Sequence, residues 1–135
     1  MFRYPSTIQF ADTDASRRIW YGALFRHLDA AENAFMRRLG LRIPGDGYVE
    51  RSWGSPRAHV EADFRVPLEY NDDVEVEVRV DRVGSTSYTL GFTVWKGETE
   101  AATASMTIVI LSMETARPIA LPDDLLAGLH RAADL

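Results

Sequence analysis

Two aspartates near the start of the chain, Asp12 and Asp14, lie where a carboxylate can take part in chemistry. They close a short strand-like segment, and a loop of a few residues leads from them into a long amphipathic helix. The first N–H groups of a helix lack partners within the helix, and the helix dipole favours negative charge at that end. Such groups can stabilise an oxyanion beside a nucleophile or base, so residues 10–41 are the segment most indicative of chemistry.

Composition limits the classes of function that this chain can have. It has 135 residues, a net charge of −5 and no cysteine. An acidic balance argues against nucleic-acid binding, and the lack of cysteine excludes disulfides, thiolate catalysis and zinc–thiolate sites. No apolar run reaches membrane-spanning length, and the first residues lack the apolar core of a signal peptide. We expect one domain, residues 1–135, in a soluble cytoplasmic protein that binds neither nucleic acid nor membrane.

One long helix is predicted before Gly40, which is placed to end it as a C-cap glycine. Apolar residues recur there at helical spacing, and mostly polar residues lie opposite them. The apolar stripe consists of Leu24, Leu28, Ala31, Phe35 and Leu39.

Strands are predicted on both sides of this helix. Tyr4, Ile8 and Phe10 indicate a first strand, which tolerates Pro5 only near its start or on an edge. After a loop at residues 43–55, alternation of apolar and polar residues predicts four more strands, at 58–66, 74–80, 88–94 and 102–110. The links YNDD, VGST and KGE carry turn residues and predict antiparallel hairpins. Pro122 and the two aspartates after it predict a short C-terminal helix.

The order of elements is therefore β–α–β–β–β–β. A sheet with one apolar face must bury that face, and the stripe of the long helix is the partner of sufficient size. We expect an α+β fold of the hotdog type, a long central helix wrapped by a five-stranded antiparallel sheet, followed by the short C-terminal helix.

Residues 10–41, FADTDASRRIWYGALFRHLDAAENAFMRRLGL, resemble the opening of a known family. This is the 4-hydroxybenzoyl-CoA thioesterase-like, acyl-CoA thioester hydrolase family of the hotdog superfamily. The residues that match without a gap are Phe10, Asp12, Asp14, Ile19, Trp20, Tyr21 and the run Leu39, Gly40 and Leu41. Two later segments, FRVPLEYNDDVEVEVRV and RVGSTSYTLGF, also resemble family motifs in the same order, so the similarity covers almost the whole chain.

The resemblance implies hydrolysis of an acyl-CoA thioester to a free acid and coenzyme A, with water as the second substrate and no cofactor. Asp14 falls on the family's catalytic aspartate, and its role as nucleophile or as general base stays open. The backbone N–H of Tyr21 falls where the family polarises the thioester carbonyl, and Trp20 beside it is expected to contact substrate. From spacing alone, Asp14 would more simply cap a turn.

The chain departs from the family pattern directly after Asp14. Arg17 replaces a glycine, which we expect to alter the loop path, and Arg18 follows it. The two guanidinium groups can lower the pKa of Asp14, or bind a carboxylate on the acyl group or a phosphate of coenzyme A. A solvated loop is an equally good interpretation of this pair.

Other candidates are weaker. Glu32 is a reserve carboxylate, because other hotdog enzymes use an acid on the central helix, although a solvated helix face is the favoured interpretation. Asp12 is expected to bind loop backbone, and His27 to be packed. Trp53 and Arg57 are expected to line the acyl pocket from a partner subunit. No cluster of ligand residues has convincing metal spacing, so we predict no metal.

An open sheet edge predicts self-association, and the resemblance implies a homodimer or a homotetramer with the acyl pocket between subunits. Two alternatives to an acyl-CoA thioesterase stay open. The chain can act on acyl groups carried by a carrier protein, or it can be a non-catalytic module that binds an acyl ligand. The sequence does not identify the acyl group.

Overall fold

The computed structural model of the chain describes residues 1–41 and 52–135. Most of the loop expected at residues 43–55 therefore lies outside the described residues.

Five strands form one antiparallel sheet, as predicted. They are β1 (Phe2–Thr7), β3 (Arg57–Phe64), β4 (Asp73–Val83), β5 (Ser87–Lys96) and β6 (Thr99–Val109). Their order across the sheet is β1-β4-β5-β6-β3, so β1 and β3 are the two edge strands. Two short strands that we did not predict, β2 (Trp53–Gly54) and β7 (Leu111–Ser112), pair with each other.

The long helix is α1 (Leu24–Arg38), and a 3-10 turn at Tyr21–Ala23 leads into it. All five residues of the predicted apolar stripe are buried, and α1 packs against β1 and β4. Gly40 has a φ of +77°, the left-handed conformation that a C-cap glycine adopts without strain. The short helix α2 (Asp123–Arg131) follows Pro122 directly, so the predicted hotdog architecture is confirmed. Among the described residues, no helix is both long enough and apolar enough to cross a membrane.

The core lies between the inner face of the sheet and α1. The predicted alternation is confirmed in the three inner strands, where every second side chain is buried. These side chains are Val74, Val76 and Val78 of β4, Tyr88, Leu90, Phe92 and Val94 of β5, and Ala102, Ala104, Met106 and Ile108 of β6. The links VGST and KGE form the predicted hairpins between β4, β5 and β6.

Two predictions about strands were wrong. The first strand ends at Thr7, and Phe10 lies in a 3-10 turn with its ring exposed, because the Asp12 carboxylate accepts the Gln9 N–H and turns the chain. The link YNDD does not form a hairpin, since β3 and β4 are not neighbours in the sheet. Its backbone instead pairs with Ile8, directly after β1. Turn residues set the local bend, but they do not determine which strands become neighbours.

Candidate active site

Asp14 opens a tight turn between two short extended segments. Thr13 pairs with Ile19 across the turn, and the Asp14 N–H donates to the carbonyl oxygen of Arg18 at 3.1 Å. The side-chain oxygen Oδ1 of Asp14 accepts the Ser16 N–H at 2.8 Å and the Ser16 hydroxyl at 2.5 Å. The turn-capping role that spacing alone suggested is therefore real, and the carboxylate is still exposed.

The pKa of Asp14 is lowered, first by the hydrogen bond from the Ser16 hydroxyl and then by that from the Ser16 N–H. Both donors stabilise the ionised form. Of the roles left open for Arg17 and Arg18, lowering of this pKa is not supported, since the lowering comes from hydrogen bonds within the turn. In the described residues Oδ2 of Asp14 accepts no hydrogen bond, so one oxygen of an ionised carboxylate faces solvent.

Arg17 takes the backbone conformation that its glycine counterpart would adopt easily. Its φ is +65°, in the left-handed region, where a side chain costs about 1 kcal/mol or more. The substitution is accommodated by local backbone strain. Neither the Arg17 nor the Arg18 guanidinium has an ion-pair partner among the described residues, and both side chains are exposed.

A cleft of about 580 Å³ brings Asp14 and Arg17 together. Phe10 and Tyr70 form another part of its wall, with their rings edge to face and the ring centres 5.9 Å apart. A carboxylate, a guanidinium and an exposed aromatic pair therefore face one space.

Tyr21 and Arg18 line a second cleft of about 370 Å³, together with Phe64. The Trp20 N–H donates to the Asp12 carbonyl oxygen at 3.0 Å, whereas the Tyr21 N–H has no acceptor in the described part of the chain. Tyr21 is 76% exposed, and the Trp20 ring meets the Tyr21 ring with centres 5.8 Å apart. The predicted oxyanion donor is thus the backbone N–H of an exposed residue at the start of the 3-10 turn that leads into α1.

Sequence reasoning missed that the buried residues Asp12 and His27 pair with each other. The Asp12 side chain is 0% exposed, its Oδ2 lies 2.8 Å from His27 Nε2, and its Oδ1 has an ion pair with Arg26. His27 Nδ1 lies 2.7 Å from the Ser6 hydroxyl. Burial lowers the pKa of His27, and the Arg26 charge lowers it further. The signal in the sequence was the position of His27, three residues after Leu24 on the apolar face of the helix.

Glu32 is buried, so the interpretation as a solvated helix face was wrong for this residue. Burial raises the pKa of Glu32, while the Arg57 guanidinium 2.8 Å away opposes that rise. Arg57 therefore binds a carboxylate of its own chain, and Trp53 lies in the short pair of β2 and β7. None of these three residues lines the clefts of Asp14 and Tyr21. Within residues 1–41 and 52–135, no group of three potential ligand side chains could hold a metal ion.

Similarity to known proteins agrees with this arrangement. A sequence profile of the thioesterase-like superfamily matches residues 8–129. The chain belongs to this superfamily. The chain is a hotdog-fold thioesterase, and the relatives named below are hydrolases of CoA thioesters.

Individual relatives are distant but are matched over most of their length. A 1,4-dihydroxy-2-naphthoyl-CoA hydrolase from Synechococcus sp. (strain CC9605) is 26% identical over 121 residues, covering 87% of this chain and 81% of the relative. One from Prochlorococcus marinus (strain MIT 9303) is 29% identical over 122 residues, covering 86% and 81%. The crystal structure of a 4-hydroxybenzoyl-CoA thioesterase Asp-to-Asn variant complexed with 4-hydroxybenzoyl-CoA has a TM-score of 0.84 at 23% identity, covering 95% of this thioesterase and 97% of that chain. This last likeness concerns the fold.

Proposed function

We propose that this thioesterase hydrolyses an acyl-CoA thioester, with Asp14 as the catalytic carboxylate and the Tyr21 N–H as the oxyanion donor. The observation that carries the proposal is the state of Asp14. It is an exposed, ionised carboxylate in a cleft, on a turn that leads within a few residues to the Tyr21 N–H, which has no acceptor among the described residues. Relatives named as CoA-thioester hydrolases support coenzyme A as the leaving group.

The chemistry needs few groups, because a thioester is already an activated acyl donor. Asp14 either attacks the carbonyl carbon itself or removes a proton from the attacking water. The carbonyl oxygen then carries negative charge, and one well-placed N–H such as that of Tyr21 is worth about 3 kcal/mol there. The C–S bond breaks, the coenzyme A thiolate leaves and takes up a proton, and water supplies the second oxygen of the free acid.

The walls of the clefts suggest what is bound. The exposed rings of Phe10 and Tyr70 beside Asp14 offer a surface to a flat acyl group. Arg17 and Arg18, which have no ion-pair partner in the described part of the chain, suit an anionic group, either a carboxylate on the acyl chain or a phosphate of coenzyme A. Trp20, which is partly exposed beside Tyr21, is a further substrate contact in this proposal.

The site is completed by a second copy of the chain in this proposal. Among residues 1–41 and 52–135, no strand pairs with the outer edge of β3, and its Val60 and Phe64 side chains are 41% and 48% exposed. An edge strand with exposed apolar residues favours pairing with another chain. A homodimer or homotetramer formed there would allow Trp53 and Arg57 of one subunit to approach the clefts of another. One domain spanning residues 1–135 and a cytoplasmic location stay predictions.

Release of free thiol from a panel of acyl-CoA esters tests this function. The panel contains aliphatic, aromatic and dicarboxylic acyl groups, and the proteins are the wild type, Asp14→Asn and the control Asp29→Asn, an exposed carboxylate on α1. We expect turnover of at least one ester class, a loss of roughly 100-fold or more in Asp14→Asn, and little change in Asp29→Asn. The Asn side chain can still accept the Ser16 hydrogen bonds, so the turn is retained.

Other results would favour the alternatives. Turnover of a carrier-protein thioester but of no CoA ester would identify the carrier protein as the leaving group. Tight binding of acyl-CoA without thiol release would indicate a binding module. Turnover that is the same in the wild type and Asp14→Asn would contradict the role of Asp14.

A further inference from the structure

A cluster formed by Ser6, Asp12, Arg26 and His27 lies beside the turn that carries Asp14. Asp12 and His27 are buried, whereas Arg26 is exposed. The cluster joins β1, the 3-10 turn Phe10–Asp12 and the first half of α1. The Asp12 carboxylate is wholly buried, and a buried charge is costly unless several partners compensate for it. Asp12 has three such partners, the Gln9 N–H at 2.7 Å, His27 Nε2 at 2.8 Å and the Arg26 guanidinium.

The backbone of Asp12 extends this cluster to both proposed catalytic groups. Its carbonyl oxygen accepts the Trp20 N–H, and Trp20 directly precedes the Tyr21 N–H. Asp14 lies two residues after Asp12 on the same segment. The side chain of Asp12 is therefore held by α1, while its main chain holds the two sides of the Asp14 turn together.

The hydrogen bonds also define the protonation of His27. Burial lowers the pKa of this imidazole, so the neutral form prevails at pH 7. The Asp12 carboxylate can only accept, so the proton of the ring lies on Nε2, and Nδ1 accepts the Ser6 hydroxyl proton. The result is one directed chain of hydrogen bonds from Ser6 through His27 to Asp12.

We propose that His27 and Asp12 are positioning residues, which fix the distance between the Asp14 carboxylate and the Tyr21 N–H. This inference rests on the proposed function of those two groups. In it His27 does not touch the substrate. Its Nε2–H ties the Asp12 carboxylate to α1, and Asp12 in turn sets the path of the chain at Asp14 and at Trp20. A displacement of about 1 Å at reacting groups can cost roughly 100-fold in rate, so such a contact affects kcat.

Two substitutions of His27 separate its two hydrogen bonds. The amide nitrogen of a glutamine reaches about as far as imidazole Nε2, so His27→Gln keeps a donor for Asp12. The shorter asparagine places its amide near the position of Nδ1, so His27→Asn keeps a partner for Ser6 and loses the bond to Asp12. The variants differ by one methylene, and both are polar. His130→Gln and His130→Asn, at an exposed position on α2, serve as matched controls.

We expect kcat of His27→Gln to stay within about fivefold of the wild type, and kcat of His27→Asn to fall by about 10- to 100-fold. KM should stay within about threefold in both variants, because the cleft walls are unchanged. Activities are expressed per folded molecule from a thermal melt of each variant. The amide resonances of Trp20 and Tyr21 in a ¹H–¹⁵N spectrum should move in His27→Asn and not in the His130 variants, which gives a readout without substrate.

Each other outcome decides against a specific claim. Equal kcat in folded His27→Asn and His130→Asn would overturn the positioning role. An equal loss of kcat in His27→Gln and His27→Asn would also overturn it, because the bond to Asp12 would not be what matters. Failure of the wild type to hydrolyse any thioester would instead contradict the proposed function. In that case unchanged Trp20 and Tyr21 resonances in His27→Asn would still overturn the positioning role.

Discussion

The chain holds two candidate carboxylates in opposite environments. Asp14 lies on an exposed turn, and hydrogen bonds from Ser16 lower its pKa. Glu32 lies inside the fold on α1, where burial raises its pKa and Arg57 opposes the rise. The first carboxylate is ionised and open to a cleft, whereas the second is enclosed and already paired.

The two residues carry the same functional group, a carboxylate, and their surroundings suit one to a catalytic role and the other to a structural role. A nucleophile or base must be deprotonated and accessible, and the lowered pKa and exposed side chain of Asp14 suit both conditions. Glu32 forms an ion pair with Arg57, the first residue of the edge strand β3, and this pair compensates the charge of Glu32. We infer that Glu32 holds the edge strand against α1, and that Asp14 does the chemistry.

The largest effect on stability should come from separating Glu32 from its partner. Arg57→Leu leaves a buried carboxylate without a cation, which typically costs 3–5 kcal/mol. Because Arg57 is itself about one-third exposed, water compensates in part, and we expect a loss of about 2 kcal/mol in urea denaturation. The control Arg82→Leu, an exposed arginine of β4, should change stability by less than about 0.5 kcal/mol.

The double variant Glu32→Leu/Arg57→Leu sharpens this test. Replacing both members of a buried pair by apolar residues is often neutral or stabilising, so most of the loss should be recovered. If Arg57→Leu alone proved as stable as the wild type, Glu32 would not depend on this pair, and the contrast with Asp14 would fail.

The pH dependence of kcat/KM distinguishes the two carboxylates directly. A base works only when deprotonated, so activity falls about tenfold per pH unit below the pKa of that base. Because the pKa of Asp14 is lowered from 3.8, its acidic limb should lie below about pH 4. A limb above pH 4.5, the ordinary pKa of glutamate from which Glu32 is raised, would identify Glu32 as the base instead.

Acid unfolding sets the range in which this profile is measured. The pKa of His27 is lower in the folded chain than the ordinary 6.5, so the unfolded chain binds more protons just below pH 6.5. Stability therefore decreases as the pH falls from about 6.5 towards the folded pKa of His27. Circular dichroism at each pH separates this unfolding from the titration of the catalytic carboxylate.

Much of the fold was predictable because its signals are local and repeated. Alternation identified β4, β5 and β6, helical spacing identified the stripe of α1, and a glycine marked the end of that helix. The order of the strands was harder, since the turn at residues 70–73 has the residues of a hairpin but joins strands that are not neighbours. Adjacency depends on long-range packing, which local turn chemistry does not encode.

The candidate site was predictable in part for the same reason. The position of Asp14 before the helix and the family resemblance pointed to it directly. The cause of its low pKa was missed, because Ser16 is an ordinary turn residue until the hydrogen bonds are seen. The burial of Glu32 and the contacts of His27 depend on partners 25 and 21 residues away in the chain, Arg57 and Ser6. Spacing within one helix does not reveal such partners.

The smallest predicted effect concerns the turn at Asp14 and combines stability with function. Arg17→Gly removes the strain of a left-handed arginine, partly offset by the greater freedom of glycine in the unfolded chain. We expect a gain of about 0.5–1 kcal/mol, or roughly 2–4 °C in Tm, while KM for an anionic substrate rises. Arg18→Gly removes the same charge at a residue without positive φ, so it should lose stability.

If Arg17→Gly were less stable than the wild type, the guanidinium itself would support the fold. If it were more stable with an unchanged KM, Arg17 would be a strained residue without a role in binding. A gain in stability together with a higher KM would show that the strained backbone of Arg17 places its cation in the cleft beside Asp14, where it binds the substrate.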